Sequence, residues 1–232
     1  MNKLNFDYDT RKDAWSWVLI AKDKDMWGLN WRDQIAQIPE ELLEKIEKVD
    51  FGCAQKIVEE YIEKDSKRDC KLNVINLEME ALEKVWASVE KRYFDALSKI
   101  TKKPIFAEKF NCFFTTGFVC PYNEDENWFM VSMWHSIPFS ITTICHEILH
   151  LQFLNYYRDY LEEQGCAEEQ IEVLKESMTF LLNESEFDDI ILSQDGGYPE
   201  HAELREKLKK IWSKNKNFQN LLDEAIVIIR KG

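Results

Sequence analysis

An α+β fold, mostly helical, with a small mainly antiparallel sheet in mid-chain, is what the sequence predicts. Three observations carry that expectation. Glycine and proline are scarce, 7 and 5 in 232 residues, which favours long helices joined by few loops. Apolar residues recur at helical spacing over most of the chain. One stretch, 104–135, breaks the pattern with runs rich in Phe, Val, Thr, Trp and Met between polar interruptions, as strands do. With 45% hydrophobic residues the chain can bury a sizeable core, and its length fits one large domain or a domain with an appended lobe.

Residues 1–72 read as a helical N-terminal lobe, with helices expected over 9–22, from Pro39 to 48, and over 55–64. Trp15, Trp17, Trp27 and Trp31 are expected to be core or lobe-interface aromatics. Residues 73–232 read as the main domain. Its backing helix, 73–100, carries Leu77, Leu82, Val85, Val89 and Phe94 near helical spacing. The sheet, 104–135, is expected to hold two or three mostly antiparallel strands over 104–110, 112–120 and 128–135. In the last of these, Trp128, Met130, Ser132 and Trp134 share one face and Phe129, Val131, Met133 and His135 the other. His135 reads as an ordinary strand-end residue. Pro138 then opens a helix over 139–163, closed by Gly165 where a C-terminal cap prefers glycine. A second helix follows over 167–183, and amphipathic helices between 199 and 230 end the chain.

Charge and cysteine usage exclude several classes. Against 30 basic side chains stand 43 acidic ones, a net charge of −13, so no broad basic surface exists for nucleic acid or an anionic membrane. No apolar run approaches the ~18 residues that suggest a membrane span. Residues 1–9 lack the charged-then-apolar order of a secretory leader, so a cytoplasmic location is expected. The 6 cysteines are scattered without a CxxC pair and read as reduced thiols. Cys112 and Cys120 are placed to face each other across paired strands, though nothing requires a bridge.

Two of the four histidines fall in one pentapeptide, His146-Glu147-Ile148-Leu149-His150, an HExxH sequence inside the 139–163 helix. Side chains four apart lie one above the other on a helix face, so both imidazoles can reach one metal ion. Glu147 sits one position round, where its carboxylate can reach a water without being a ligand. Ile141, Ile144, Cys145, Ile148, Leu149, Leu151, Phe153 and Leu154 surround the motif, so the helix is expected to be largely buried. Two histidines and a glutamate in such a helix need partners, and one Zn2+ per chain accounts for all three. Cys145 reads as a small packing residue rather than a nucleophile.

Hydrolytic zinc takes three protein ligands and keeps one position open. No histidine follows at metzincin spacing, so the third ligand is expected to be a carboxylate on the next helix. Glu176, Glu184 and Glu186 compete. A hairpin turning near 165 slightly favours Glu184, with Asp188 placed to orient a ligand histidine. Burial favours Glu176, which lies in the mostly apolar run 173–182 where an unpaired carboxylate is expensive. Glu176 is chosen.

A strand-rich stretch, an HExxH helix and a glutamate on the following helix resemble the gluzincin branch of the zincin metallopeptidases. More narrowly, His146–His150, Lys175-Glu-Ser-Met-Thr-Phe-Leu-Leu-Asn183 and Gly197-Tyr-Pro-Glu-His201 with Leu204-Arg205 are similar to uncharacterised bacterial zinc peptidases, over about 104–212. In that group the Glu of the Lys-Glu-Ser block matches Glu176. The thermolysin-type Asn-Glu-x-x-Ser-Asp block is only approached by Asn183-Glu184 with Asp188, which keeps Glu184 open. The resemblance implies a zincin-like core, an oxyanion-stabilising Tyr or His, for which Tyr198 and His201 are the candidates, and an edge strand, 128–135, along which an extended peptide pairs.

The expected activity is therefore zinc-dependent hydrolysis of a peptide or protein, with Glu147 as general base. The alternative is a binding or regulatory protein on the same scaffold, its zinc structural or lost. Between 159 and 189 stand eleven acidic residues and one basic one, Lys175, so a negative rim selecting basic peptides is a further expectation.

Overall fold

The computed structural model describes residues 3–22 and 38–230; the expected aromatics Trp27 and Trp31 lie outside the described residues. The chain opens with a strand that the sequence did not suggest, β1 (Leu4–Asp7), whose alternate residues Leu4 and Phe6 point into the core. Among the described residues three helices follow before the backing helix, α1 (Thr10–Lys22), α2 (Glu40–Glu47) and α3 (Phe51–Lys64). They enclose a small apolar cluster of their own, with Trp17, Val18, Ile46, Ala54 and Val58 at its centre. Asp50 caps α3 by accepting the Cys53 N–H.

The backing helix α4 (Arg68–Thr101) spans 34 residues, so the expected lobe boundary at 72 falls inside it. Its buried side, Trp86, Tyr93, Phe94 and Leu97 among others, belongs to the main core. Glu90 on the same helix accepts the Lys3 and Leu4 N–H groups and the Trp86 Nε1–H, which ties β1 to α4.

The remaining strands are β2 (Phe110–Thr115), β3 (Tyr122–Asn123) and β4 (Trp128–Ser132), and the sheet runs in the order β1-β2-β4-β3. The expectation of a mainly antiparallel sheet is corrected here. β1 and β2 pair in parallel, β2 and β4 pair in parallel, and only the short β3 runs antiparallel, to β4. Parallel neighbours need crossovers, and α1 to α4 supply one between β1 and β2. Residues 104–109 are not a strand: Gln152 holds them by donating to the Pro104 carbonyl and accepting the Phe106 N–H. Nor is 128–135 a free edge. β4 lies between β2 and β3, the Pro121 carbonyl takes the Met130 N–H, and Ser132 Oγ donates to the Gly117 carbonyl.

After a turn comes α5 (Ile137–Glu163), capped by Ser136, which accepts the Phe139 N–H, with Pro138 in its first turn. It is apolar on nearly every side, and the sheet, α4 and α6 (Glu168–Met178) pack around it. Gly165, at φ +79, closes it: the Cys166 N–H bonds the Leu161 carbonyl and the Gly165 N–H bonds the Glu162 carbonyl. The helix expected over 167–183 splits, α6 ending at Met178 and a 3-10 segment continuing over Thr179–Asn183. A further 3-10 turn, Pro199–His201, leads into α7 (Ala202–Asn215), and α8 (Phe218–Ile229) completes the fold. Among the described residues no helix is long and apolar enough to cross a membrane.

Candidate metal centre

His146 and His150 stand on the same face of α5, their ring centroids 4.1 Å apart. α6 turns back after Gly165 and brings Glu176 to them, sooner than a mirrored hairpin would. Glu176 Oε2 lies 3.5 Å from Nε2 of His146 and 3.5 Å from Nε2 of His150. The three donor atoms all fall within 4.8 Å of one another. Nitrogen and oxygen donors held at ~2.0–2.2 Å around a tetrahedral zinc are themselves ~3.3–3.6 Å apart. Both measured separations from the carboxylate match that spacing, and both are too long for a hydrogen bond of ordinary strength.

The polar accounting agrees. Both ring nitrogens of His150 and the Oε2 atoms of Glu176 and Glu147 are buried and have no hydrogen-bond partner among the described residues. Buried polar atoms are rarely left this way, and here His150 Nε2 and Glu176 Oε2 face each other across 3.5 Å, with His150 Nδ1 and Glu147 Oε2 3.7 Å apart on the other side of the ring. The triad His146, His150 and Glu176 thus fits a divalent metal. Of the rival ligands, Glu184 pairs with Lys216 at 3.0 Å, and Glu186 pairs with Lys216 and Lys99 at 3.8 Å each. Neither joins the histidines.

The other oxygen of Glu176 is gripped from behind. Lys175, 2% exposed, puts its ammonium 3.2 Å from Glu176 Oε1 and donates to Tyr122 Oη and Glu172 Oε2. Burial opposes the Lys175 charge, but Glu176, Tyr122 and Glu172 together raise its pKa. Burial likewise opposes the Glu176 carboxylate, while His150, His146 and Lys175 pull it far below its usual value. The Tyr122 ring meets His150 edge-on at 5.9 Å.

His146 is oriented by Asp195, whose Oδ2 lies 2.6 Å from Nδ1, which leaves Nε2 to face the triad. Burial works against a charged imidazole, yet Asp195, with help from Glu176 and Glu147, raises His146 well above its usual range. His150 Nδ1 has only Glu147 Oε2 near it, at 3.7 Å and beyond hydrogen-bond reach, and burial pushes its pKa well below the usual range. The orienting acid expected at Asp188 is corrected by this geometry: Asp188 is exposed on the surface, and the loop after it delivers Asp195 instead. Sequence spacing missed Asp195 because it stands in Ser193-Gln-Asp-Gly-Gly197, which reads as a solvent loop.

A cleft of about 450 Å³ opens over His146 and Glu147, walled by Phe118, Val119, Phe139 and Tyr198. Glu147 is buried at its floor. Burial pushes its carboxyl up to about 8, with His146 acting downward and Glu176 upward. Tyr198 faces the cleft, and burial beside Glu176 and Glu147 raises its phenol. His201 stands behind it, 3% exposed and edge-on to the Tyr198 ring at 5.9 Å, and does not line the cleft. His135 does line it, against Phe139 at 4.5 Å, and burial lowers its pKa to about 4. Cys145 is buried with its carbonyl bound by Tyr93 Oη, and its thiol pKa is raised by burial, as a packing residue requires. Cys112 and Cys120 are both free thiols.

Comparison of the chain with protein-family models, with curated proteins and with solved structures finds no match. The reading of the site therefore rests on its own geometry.

Proposed function

We propose that this protein is a zinc-dependent peptidase built on a zincin-like core of gluzincin type. The observation that carries the reading is the pair of 3.5 Å separations from Glu176 Oε2 to the two imidazole Nε2 atoms, with Glu176 Oε2 and His150 Nε2 both buried and without a hydrogen-bond partner among the described residues. Zinc held there supplies a Lewis acid that lowers the pKa of water from about 15.7 towards 7 and polarises a carbonyl. Glu147, at the cleft floor, takes a proton from the attacking water and passes it to the departing amine. Tyr198, on the cleft wall, donates its hydroxyl to the oxyanion, and His201 supports the tyrosine ring from behind. Asp195 keeps the Nδ1–H of His146 engaged.

An extended peptide pairs along the outer edge formed by 118–122 rather than along β4, because β4 is covered on that flank. The apolar cleft walls suit an uncharged side chain. The acidic run 159–189 does not form the cleft wall: none of its residues lines the cleft. Glu168 of that acidic run is paired with Arg158 at 2.6 Å and Glu172 with Lys175 at 2.6 Å.

Protein purified from zinc-replete medium is expected to carry about one zinc and to cleave members of a peptide library. Glu147→Gln is expected to keep the metal while hydrolysis falls ~10²–10⁴-fold. Metal-free protein from that preparation overturns the reading, and bound zinc without cleavage favours the binding-scaffold alternative.

A further inference from the structure

Arg205, in the first turn of α7, is 7% exposed and reaches three segments at once. Its Nη2 donates to the Asp195 carbonyl and to Asp195 Oδ1, both at 2.9 Å. Its Nη1 donates to the Glu176 carbonyl at 3.3 Å and to Thr179 Oγ1. Thr179 Oγ1 in turn donates to Asp195 Oδ1 at 2.8 Å, and Asn183 exchanges two hydrogen bonds with the Asp195 backbone. Gly197 lets the guanidinium lie against the loop: a Cβ there would sit 2.7 Å from it, and the residue holds φ +64. Arg205 thus bonds both the end of the helix that carries Glu176 and the acid that orients His146, with Thr179 bridging the same two, while its guanidinium touches no metal-facing atom itself.

Resting on the zinc reading, we infer that Arg205 is a positioning residue for the metal centre, acting through Asp195. A planar fork with several fixed donors can hold the carboxylate and the backbone of one residue together, which an ammonium cannot do. With Oδ1 fixed from behind, Oδ2 is aimed at His146 Nδ1, and the imidazole is held ready before any metal arrives.

The test is a double-mutant cycle on zinc affinity, measured by chelator competition with the full chain. Arg205→Met and Asp195→Ala are each expected to weaken zinc binding ~10–100-fold, and the double variant to bind no more weakly than Asp195→Ala alone. Arg205→Lys restores part of the loss. With Co2+ as probe, the visible spectrum of Arg205→Met is expected to shift the same way as that of Asp195→Ala. Far-UV circular dichroism of the metal-free variants checks folding, and if Arg205→Met does not fold the cycle is run with Arg205→Lys. Additive losses, or wild-type affinity with an unchanged Co2+ spectrum, overturn the inference and leave the zinc reading standing. A wild-type chain that binds no zinc overturns both.

Discussion

Two buried carboxylates in this molecule have opposite surroundings. Asp13, on α1, is 0% exposed and fully engaged: Oδ1 accepts Thr115 Oγ1–H and the Thr116 N–H, and Oδ2 accepts Thr116 Oγ1–H and Tyr8 Oη–H. The donors are Thr115 at the end of β2, Thr116 just after it and Tyr8 just after β1, so Asp13 knots α1 to the end of β2 and to the chain after β1. Glu176 is also buried, at 6% exposed, yet only Oε1 has a cation beside it, and Oε2 faces two imidazole nitrogens across 3.5 Å. Burial alone therefore does not mark a functional acid. What separates the two is whether the lone pairs are already taken. A closed set of hydrogen bonds holds a fold together, whereas an open set of convergent acceptors fits a ligand.

That contrast breaks if the two residues respond alike to removal. Glu176→Ala is expected to abolish stoichiometric zinc binding and with it peptide hydrolysis, while Glu184→Ala and Glu186→Ala keep both. Asp13→Ala is expected to do the reverse. It strands several buried donors and lowers stability by ~3 kcal/mol, read from urea midpoints, yet the folded protein still binds one zinc. Zinc retained in Glu176→Ala, or lost from folded Asp13→Ala, removes the distinction.

How much of this was legible in the sequence differs between the same two regions. The candidate triad was readable because HExxH puts two histidines on one helix face at a spacing the helix itself dictates, and because Glu176 sat in a run too apolar to tolerate an idle carboxylate. The helices were readable for the same local reason. The network behind the triad was not, since Asp195 and Arg205 reach it through tertiary packing, and a Gly-Gly loop leaves no periodic trace. Asp13 was invisible as a knot: its partners lie at Thr115 and Thr116, and nothing local pairs them. Sheet direction failed similarly. β1 is only four residues long and its parallel partner β2 comes a hundred residues later, so the strands looked like a local antiparallel set.

Tyr198 and His201 sharpen the comparison within the site itself, because both were candidates for one role and only Tyr198 faces the cleft. Tyr198→Phe keeps the ring packed on His201 and removes only the hydroxyl. It is expected to lower kcat ~10²-fold with little change in KM and none in zinc content, as loss of a donor used only in the transition state does. His201→Gln, one layer further back, is expected to lower kcat by less than ~10-fold. Equal losses from the two would mean that His201 reaches the reacting carbonyl.

The smallest expected effect concerns the knot, and it asks whether a fully engaged acid is at ease. Burial raises the Asp13 carboxyl above its ordinary 3.8, and the donors from Thr115, Thr116 and Tyr8 offset only part of that rise. Between the unfolded value and the higher folded one, the native protein holds a proton that the unfolded chain has released. Stability then falls as pH climbs through that window, by at most ~1.4 kcal/mol per pH unit, and levels off above it. Asp13→Asn cannot titrate there, and every other group is shared by the two proteins. The stability advantage of the wild type over Asp13→Asn in metal-free protein should therefore shrink from pH 4 upward and reach a plateau. An advantage that grows with pH would mean that the four donors outweigh burial and hold the acid ionised. The knot would then be a stronger grip on negative charge than the candidate metal site, where Glu176 depends on a cation and imidazoles rather than on a closed ring of donors.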